Sequence, residues 1–598
     1  MRFRPCWRWS GSRGCDKASW KTILPLLRQL NMDYVLQVDG RELPGKNANP
    51  PDELMAGPGY LGRQAHENDG AFYYWGPDYY ENPPQPIADI LARSIDAGGI
   101  QPNIRPPRNG SRSWRFFDPT AAGSMEEAAA EFVKNLASCR GGSTRHSGPS
   151  ALFRYFFQAS YDYLETEQMY GPEEPLLGAV RGATKAYGKS EFGAHLATQW
   201  SSAPHDTEEH AERYWLSLCD CYLQGATQFN IEEGLWRMES GYVDYDRYSE
   251  NCLRHLAAHT RFRRFMETHR RRGRLIVPLG VVQGRHDGWC CISRGNVWAR
   301  EGSKWEFSAP EKSYDLLTEF YPRSKFQAIY ERPVCTVEPH GWYSGTPFGP
   351  VDLFPFEGDF SIYRTVIFLG WHTFRPEDGR KLLDFVRNGG DLLLASPHLS
   401  LENERCKPLR HQDSPDLTAL LGDGWQQAEK PVIRSVGKGQ VRYFPGNRYP
   451  SEIESAWREA MCELAEKTVR DEYRKGWISA NEDVNFTVYE DSAAKMRIIY
   501  LLNIRWWDRR NSQVILHLDG EKIPLEIPYG AVQTLTLSDG AAVRCSSELA
   551  DVMHFDGRQV TVQSPEPGEL TFFRAQTRKT ILFPAGISTL EMKMNGCH

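Results

Sequence analysis

The sequence predicts an α/β protein: a (β/α)8 TIM barrel over 1–312, a flavodoxin-like α/β domain over 313–470 and a small C-terminal β-sandwich over 471–598. Three observations carry this reading. Extended apolar segments alternate with helical ones through the first 300 residues, which implies βα units and a parallel sheet. A composition shift near 310 opens a Pro/Gly-rich stretch followed by strand, strand, glycine-capped helix and strand. From about 470 the helical period gives way to short alternating strands separated by Asp-Gly and Pro-Gly turns. The chain has 598 residues, roughly four domain equivalents or fewer if one is a large barrel.

In the first region, 2–9 reads as a strand, 17–30 as an amphipathic helix, and 33–39 as a strand ending on Asp39. Further on, 86–97 reads as a helix, 100–105 as extended, 125–136 as an Ala/Glu-rich helix, and 153–167 as a long aromatic extended run. A helix over 174–187 leads to a strand over 192–200. The segment 207–223 is a helix opened by Thr207-Glu-Glu-His210, a capping-box-like start. Then come a strand (226–233), a helix (248–272) and a strand (274–284). About seven repeats in this length favour a barrel over a doubly wound sheet, with the eighth strand unplaced. The basic stretch 261–274 reads as a solvated helix end, where cations suit the helix dipole.

The second region places strands at 351–356, 365–370, 391–395 and 437–444, with helices at 313–321, 376–388 and 451–469. It has no GxGxxG or Walker sequence, and the turn after its clearest strand reads Leu394-Ala-Ser-Pro-His398 instead of a nucleophile elbow. It therefore reads as structural. The third region carries strands at 497–503, 513–518, 532–537, 558–563 and 569–573.

Composition bounds function. Lys and Arg number 71 against 77 Asp and Glu, a net charge of −6, so no basic excess argues for nucleic acid. No apolar run approaches a membrane span. Aromatic residues reach 12%, with 18 Trp, 27 Tyr and 28 Phe, which suits either packing or a cleft that stacks on sugar faces. The 13 cysteines include no CxxC pair, so a zinc ribbon is not expected and buried thiols are. The start is basic and lacks the apolar stretch of a signal peptide, which predicts a cytoplasmic protein, or a periplasmic or secreted one if a leader has been removed. His255 and His259 lie four apart on a helix without the Glu of HExxH, so neither a metal nor a cofactor is expected.

Functional groups of a parallel barrel gather where its strands end. In 161–171 (YDYLETEQMYG), strand alternation puts Tyr163, Glu165 and Glu167 on one face. Paired glutamates there suit a general acid raised by its neighbour. In 227–236 (TQFNIEEGLW), Gln228, Asn230 and Glu232 share one face and Phe229 and Ile231 the other, which favours Glu232 over Glu233 as the inward carboxylate. The strand over 192–200 ends on Gln199 and Trp200, and 280–289 runs into Arg285, His286, Asp287 and Trp289. Two carboxylates, amides and Trp platforms (Trp200, Trp236, Trp289) form the inventory of glycoside hydrolysis.

On these residues the order of domains resembles the β-galactosidases of glycoside hydrolase family 42 and their clan A relatives. The resemblance implies that the second domain is a trimerisation domain. It also implies that Glu167, in Thr166-Glu167 followed by Tyr170-Gly171, is the acid/base that ends the family's fourth strand. Thr166 replaces the Asn that holds the sugar 2-hydroxyl in the family. The family's nucleophile ends strand seven, whereas 226–233 counts as strand six here, so Glu232, Glu233 and Asp287 compete for that role. The family's cysteine-rich zinc cluster has no counterpart.

The expected function is a retaining, exo-acting glycoside hydrolase that removes a terminal β-linked sugar from an oligo- or polysaccharide, assembled as a trimer. Glu167 and Glu232 (or Glu233) would be catalytic. Glu165, Asp39, Gln199, Trp200, Gln228, Asn230, Trp236, Arg285, His286, Asp287 and Trp289 would bind substrate. Two alternatives are a uronate-polysaccharide lyase, with Arg285 neutralising the uronate, and a non-catalytic carbohydrate-binding protein.

Overall fold

The computed structural model describes residues 5–10, 33–38, 59–66, 122–138, 143–168, 172–197, 207–231, 250–291, 307–324, 342–405, 407–574 and 577–591, with a few single positions between them. Seven parallel strands form a closed barrel: β1 (Pro5–Ser10), β2 (Asp33–Val38), β3 (Tyr60–His66), β4 (Arg145–Gly148), β5 (Tyr163–Gln168), β6 (Gly193–Leu196) and β7 (Gln228–Ile231). The ring closes where β7 pairs with β1, Cys6 opposite Asn230 and Trp7 opposite Ile231. Helices α1 (Met125–Ser138), α2 (Phe153–Gln158), α3 (Glu173–Ala186), α4 (Glu208–Leu223) and α5 (Glu250–Thr268) belong to this region. Ala65, Leu164, Ala194, Leu196, Phe229 and Ile231 are buried in its apolar core, and Phe229 meets Phe262 of α5 edge-on at 5.4 Å. Thr207 caps α4 by accepting from the His210 N–H at 3.2 Å.

The ring closes with seven described strands instead of the eight expected, and two further expectations for this region are corrected. The aromatic run 153–167 is not one strand, because α2 occupies its first half and a left-handed Ser160 (φ 66°) turns the chain into β5. Strands β3 and β4 were not foreseen, and the segments expected at 86–97 and 100–105 lie outside the described residues. The segment 274–284 leaves the barrel. β8 (Arg274–Leu275) and β9 (Leu279–Gln283) join two other sheets, with Pro278 between them, where a missing N–H ends a ladder. The barrel therefore gives way to its successors well before 312.

β9 is an interior strand of a six-stranded sheet with β10 (Val351–Pro355), β11 (Thr365–Phe368), β12 (Asp391–Ala395), β13 (Val432–Val436) and β14 (Gly439–Phe444). The order is β10-β9-β11-β12-β14-β13, parallel except for β13. The five parallel strands thus run 2-1-3-4-5, as in one of the two common doubly wound arrangements. Helices α6 (Asp378–Arg387), α7 (Pro415–Leu421) and α8 (Glu454–Glu472) belong to this layer. Helix α3 covers its edge strand β10. A Cβ on Gly178 would meet the Val351 carbonyl oxygen at 2.4 Å and one on Gly182 the Leu353 carbonyl oxygen at 2.3 Å, so only glycine permits this approach. Arg181 and Lys185 each reach Asp352 at 2.6 Å, fixing the same face.

The last region is antiparallel. β16 (Val484–Asp491), β17 (Met496–Asn503), β20 (Val532–Ser538), β21 (Ala541–Cys545), β24 (Gly568–Arg574) and β25 (Thr577–Phe583) form one sheet, with β8 on its edge. Two three-stranded sheets flank it: β15 (Trp477–Ser479), β18 (Ser512–Leu518) and β19 (Glu521–Ile527); and β22 (Asp551–Phe555), β23 (Gln559–Ser564) and β26 (Gly586–Glu591). The basic stretch 261–274, expected to be a solvated helix end, instead ties the barrel to these sheets. Arg261 lies 3.9 Å over the Trp215 ring and reaches Glu548 at 2.6 Å, and Arg272 reaches Asp551 at 2.6 Å.

Three carboxylates are buried where the layers meet. Glu173 accepts from the Ser217 hydroxyl and from Trp342 Nε1 (3.0 Å), Glu174 from the Ser344 N–H (2.8 Å), and Asp220 from Asn485 Nδ2 (2.7 Å). Burial raises all three above the carboxylate range, Glu173 to about 7. A carboxyl with a raised folded pKa stabilises fully below its unfolded value and loses that contribution as pH rises through the folded one. Thermal unfolding should therefore show a lower midpoint at pH 8 than at pH 5.5, and Glu173→Gln should reduce that difference.

Candidate active site at the barrel mouth

Alternation along the barrel strands sends one set of side chains inward, and here that set is polar. Deep in the barrel, Glu165 on β5 accepts from Gln64 Nε2 on β3 at 2.7 Å and lies 3.4 Å from Arg145 Nη2 on β4. Arg145 also donates to Gln228 Oε1 on β7 at 2.6 Å, and its guanidinium lies 3.9 Å over the Tyr163 ring. Room for this layer comes from Gly193 on β6. A Cβ there would sit 2.5 Å from the Tyr163 hydroxyl oxygen and 2.8 Å from Glu165 Cγ.

Two residues further along each strand, toward the C-terminal ends, lies a second layer. It holds His66 on β3, Ser147 on β4, Glu167 on β5, His195 on β6 and Asn230 on β7. Glu167 pairs across the ladder with His195, and His195 with Asn230. Each oxygen of the buried Glu167 faces an imidazole: Oε1 lies 3.4 Å from His195 Nδ1 and Oε2 3.6 Å from His66 Nδ1. His66 Nδ1 is also 3.1 Å from Ser147 Oγ. The Asn230 side chain is fully buried, and its amide nitrogen and oxygen have no hydrogen-bond partner among the described residues. Buried polar atoms are almost always satisfied, so this open amide stands out in the barrel interior.

The structure thus brings Glu165, Glu167, Gln228 and Asn230 together inside the barrel, on the parity expected from alternation. Asp39, Gln199, Trp200, Glu232, Glu233 and Trp236 lie outside the described residues. The segment 280–289 is corrected. Because β9 belongs to the doubly wound sheet, its terminal residues do not end a barrel strand. Arg285 is held bidentately by Asp378 at 2.6 and 3.1 Å, and His286 Nδ1 lies 3.2 Å from Thr373 Oγ1. Asp287 accepts from the Tyr314 hydroxyl at 2.5 Å and the Trp289 N–H at 3.0 Å, while Trp289 is buried and stacks on Tyr314 with ring centroids 4.0 Å apart. Arg285 and His286 are committed to Asp378 and Thr373, and Asp287 and Trp289 to each other and to Tyr314, which removes Asp287 as a nucleophile and Trp289 as a sugar platform.

The sequence reading missed Gln64, His66, Arg145 and His195. The signal that finds most of them is the polar i, i+2 pair repeated on short strands, Gln64/His66, Arg145/Ser147 and Gln228/Asn230, with His195 two residues after Gly193. No metal set was expected, yet His66, Glu167 and His195 offer ligand atoms within 4.8 Å of one another.

Two outcomes test this interior. Gly193→Ala should give a protein that unfolds several degrees earlier, since overpacking costs about 1–3 kcal/mol. Arg145→Leu should destabilise by about 3–5 kcal/mol by stranding the Glu165 charge, and adding Glu165→Leu should recover much of that loss in a denaturant titration.

No protein-family model matches the sequence, and no curated protein matches it. Solved structures do. Gan42B, a GH42 β-galactosidase from G. stearothermophilus, aligns over 89% of this chain and 93% of its own at 12% identity, with a TM-score of 0.50. A catalytic mutant of the same enzyme gives 0.51 at 11% identity over the same shares. The β-galactosidase of Bacillus circulans sp. alkalophilus gives 0.50 at 9% identity, over 89% of this chain and 94% of that one. The chain therefore shares, over most of its length, the fold of the GH42 β-galactosidases.

Proposed function

We propose that the protein is a glycoside hydrolase whose reaction takes place at the C-terminal mouth of the barrel, with Glu167 as acid/base. The observation that carries this reading is the second polar layer: a buried carboxylate at a strand end beside an Asn230 amide with no partner among the described residues. A sugar hydroxyl both donates and accepts, and so suits an open amide. The shared GH42 fold supports the same assignment. By strand number the correspondence is partial. The segment carrying Glu232 and Glu233 follows β7, the family's nucleophile strand, whereas Glu167 stands on β5, one strand beyond the family's acid/base position. The assignment of Glu167 accordingly rests on its setting in the mouth and not on its ordinal place.

In this mechanism Glu167 protonates the leaving oxygen while Glu232 (or Glu233) attacks the anomeric carbon. Water then releases the sugar with Glu167 acting as base. Gln228 is tied to Arg145 and shapes the floor, which leaves Asn230 for a hydroxyl. Exo action on a terminal β-linked sugar of an oligo- or polysaccharide belongs to this proposal, as does trimer assembly through the doubly wound, flavodoxin-like layer. The buried thiols Cys219, Cys221 and Cys545 favour a reducing, cytoplasmic setting. The lyase alternative loses its carboxylate-binding cation, because Arg285 is paired with Asp378.

Activity should appear in a panel of nitrophenyl glycosides, with NMR of the released sugar showing retained configuration. Glu167→Gln should lower turnover by about 10²- to 10⁴-fold on substrates with poor leaving groups and much less on activated ones. Full activity of that variant on a poor leaving group would reject the assignment, and sugar binding without turnover in the wild type would make the protein a binder.

A further inference from the structure

The distances around Glu167 do not match a hydrogen-bonded His–Glu–His chain. An N–H···O bond to a carboxylate falls at about 2.7–2.9 Å, yet the two imidazole nitrogens stand 3.4 and 3.6 Å from the carboxylate oxygens. Ligand atoms each about 2.0–2.1 Å from a tetrahedral ion are about 3.4 Å apart. The two imidazole–carboxylate spacings, one on each Glu167 oxygen, are close to that value, and the three residues offer ligand atoms all within 4.8 Å of one another. Two imidazoles and one carboxylate are a recurrent protein donor set for a borderline divalent ion that keeps an open position. All three sit on neighbouring or near-neighbouring barrel strands, so the backbone and not a loop sets their separation. The Asn230 amide, one strand beyond His195, supplies a polar wall that has no partner among the described residues.

We propose that His66, Glu167 and His195 form a site for a divalent transition-metal ion such as Zn2+ or Co2+, and that an ion bound there displaces the proton Glu167 carries in glycoside hydrolysis. The ion site stands on geometry alone, and the inhibition rests on the glycosidase reading above. Binding is a simple ligation: the imidazoles bind neutral, Glu167 binds as carboxylate, and any proton it held passes to solvent.

The test uses the full chain stripped with a chelator and titrated with Co2+ by visible absorption and with Zn2+ by calorimetry. One equivalent should bind, with the intense d–d bands of a tetrahedral or five-coordinate site. His195→Gln, His66→Gln and Glu167→Gln, each checked for native near-ultraviolet circular dichroism, should weaken affinity by about ten- to a hundredfold or more. Should a variant fail that check, Glu167→Asp, which keeps a carboxylate, and chelator reversal in the wild type supply the same readout. Absence of stoichiometric binding, or binding untouched by all three substitutions, overturns the site. Hydrolysis of an alkyl glycoside, whose leaving group is poor, should fall in step with Zn2+ occupancy and return with chelator. Activity that persists at saturating Zn2+ overturns the inhibition. Stoichiometric binding in a protein that hydrolyses no glycoside upholds the ion site and rejects the glycosidase reading.

Discussion

Burying the Glu165 carboxylate inside the barrel commits the surrounding strands. An ionised carboxylate removed from water must find charge and hydrogen bonds, and these come from Arg145 and Gln64, with Gln228 holding the far side of the guanidinium. The residues span β3, β4, β5 and β7, so one interaction fixes the relative register of most of the described ring. A one-residue slip of β5 would turn Glu165 and Glu167 toward the helices and bring Leu164 and Thr166 into the lumen. Such a pair adds little net stability compared with an apolar core, and its effect is to select one register. The second layer inherits its geometry from the first, because His66, Glu167 and Asn230 each stand two residues beyond a member of the polar floor and His195 two beyond the Gly193 that makes room for it.

The same economy of chain appears between layers. Within ten residues the polypeptide gives β8 to the antiparallel sheet and β9 to the interior of the doubly wound sheet. Helix α3 then closes on β10 through Gly178 and Gly182, and Arg261 and Arg272 clamp the barrel's last described helix and its following turn to the C-terminal strands. One apolar cluster accordingly runs from Ala65 through Leu353 to Val532. The buried carboxylates Glu173, Glu174 and Asp220 lie at this junction and make its cohesion sensitive to pH.

Local pattern made part of this legible. Alternation placed Tyr163, Glu165 and Glu167 on one face and Gln228 and Asn230 on another, and both faces point into the barrel. The Thr207 cap and the glycine after α6 were equally readable, because each is a local chemical signal. What failed was allegiance. Residues 279–283 have the same apolar look in a barrel as in a doubly wound sheet, and only non-local pairing distinguishes the two. That ambiguity carried Arg285, Asp287 and Trp289 into the wrong site. Strands β3 and β4 escaped notice because polar inward residues (Gln64, His66, Arg145, Ser147) break the apolar run by which buried parallel strands are recognised. The histidines beside Glu167 come from residues 66 and 195, a separation that no spacing rule covers.

The most direct test of the barrel mouth as the place of sugar chemistry is a crystal structure with a non-hydrolysable thioglycoside bound. The sugar is expected in the mouth, with the inter-residue sulfur within hydrogen-bonding reach of Glu167 and a hydroxyl on the Asn230 amide. A ligand seated elsewhere, with Glu167 and Asn230 untouched, would contradict it.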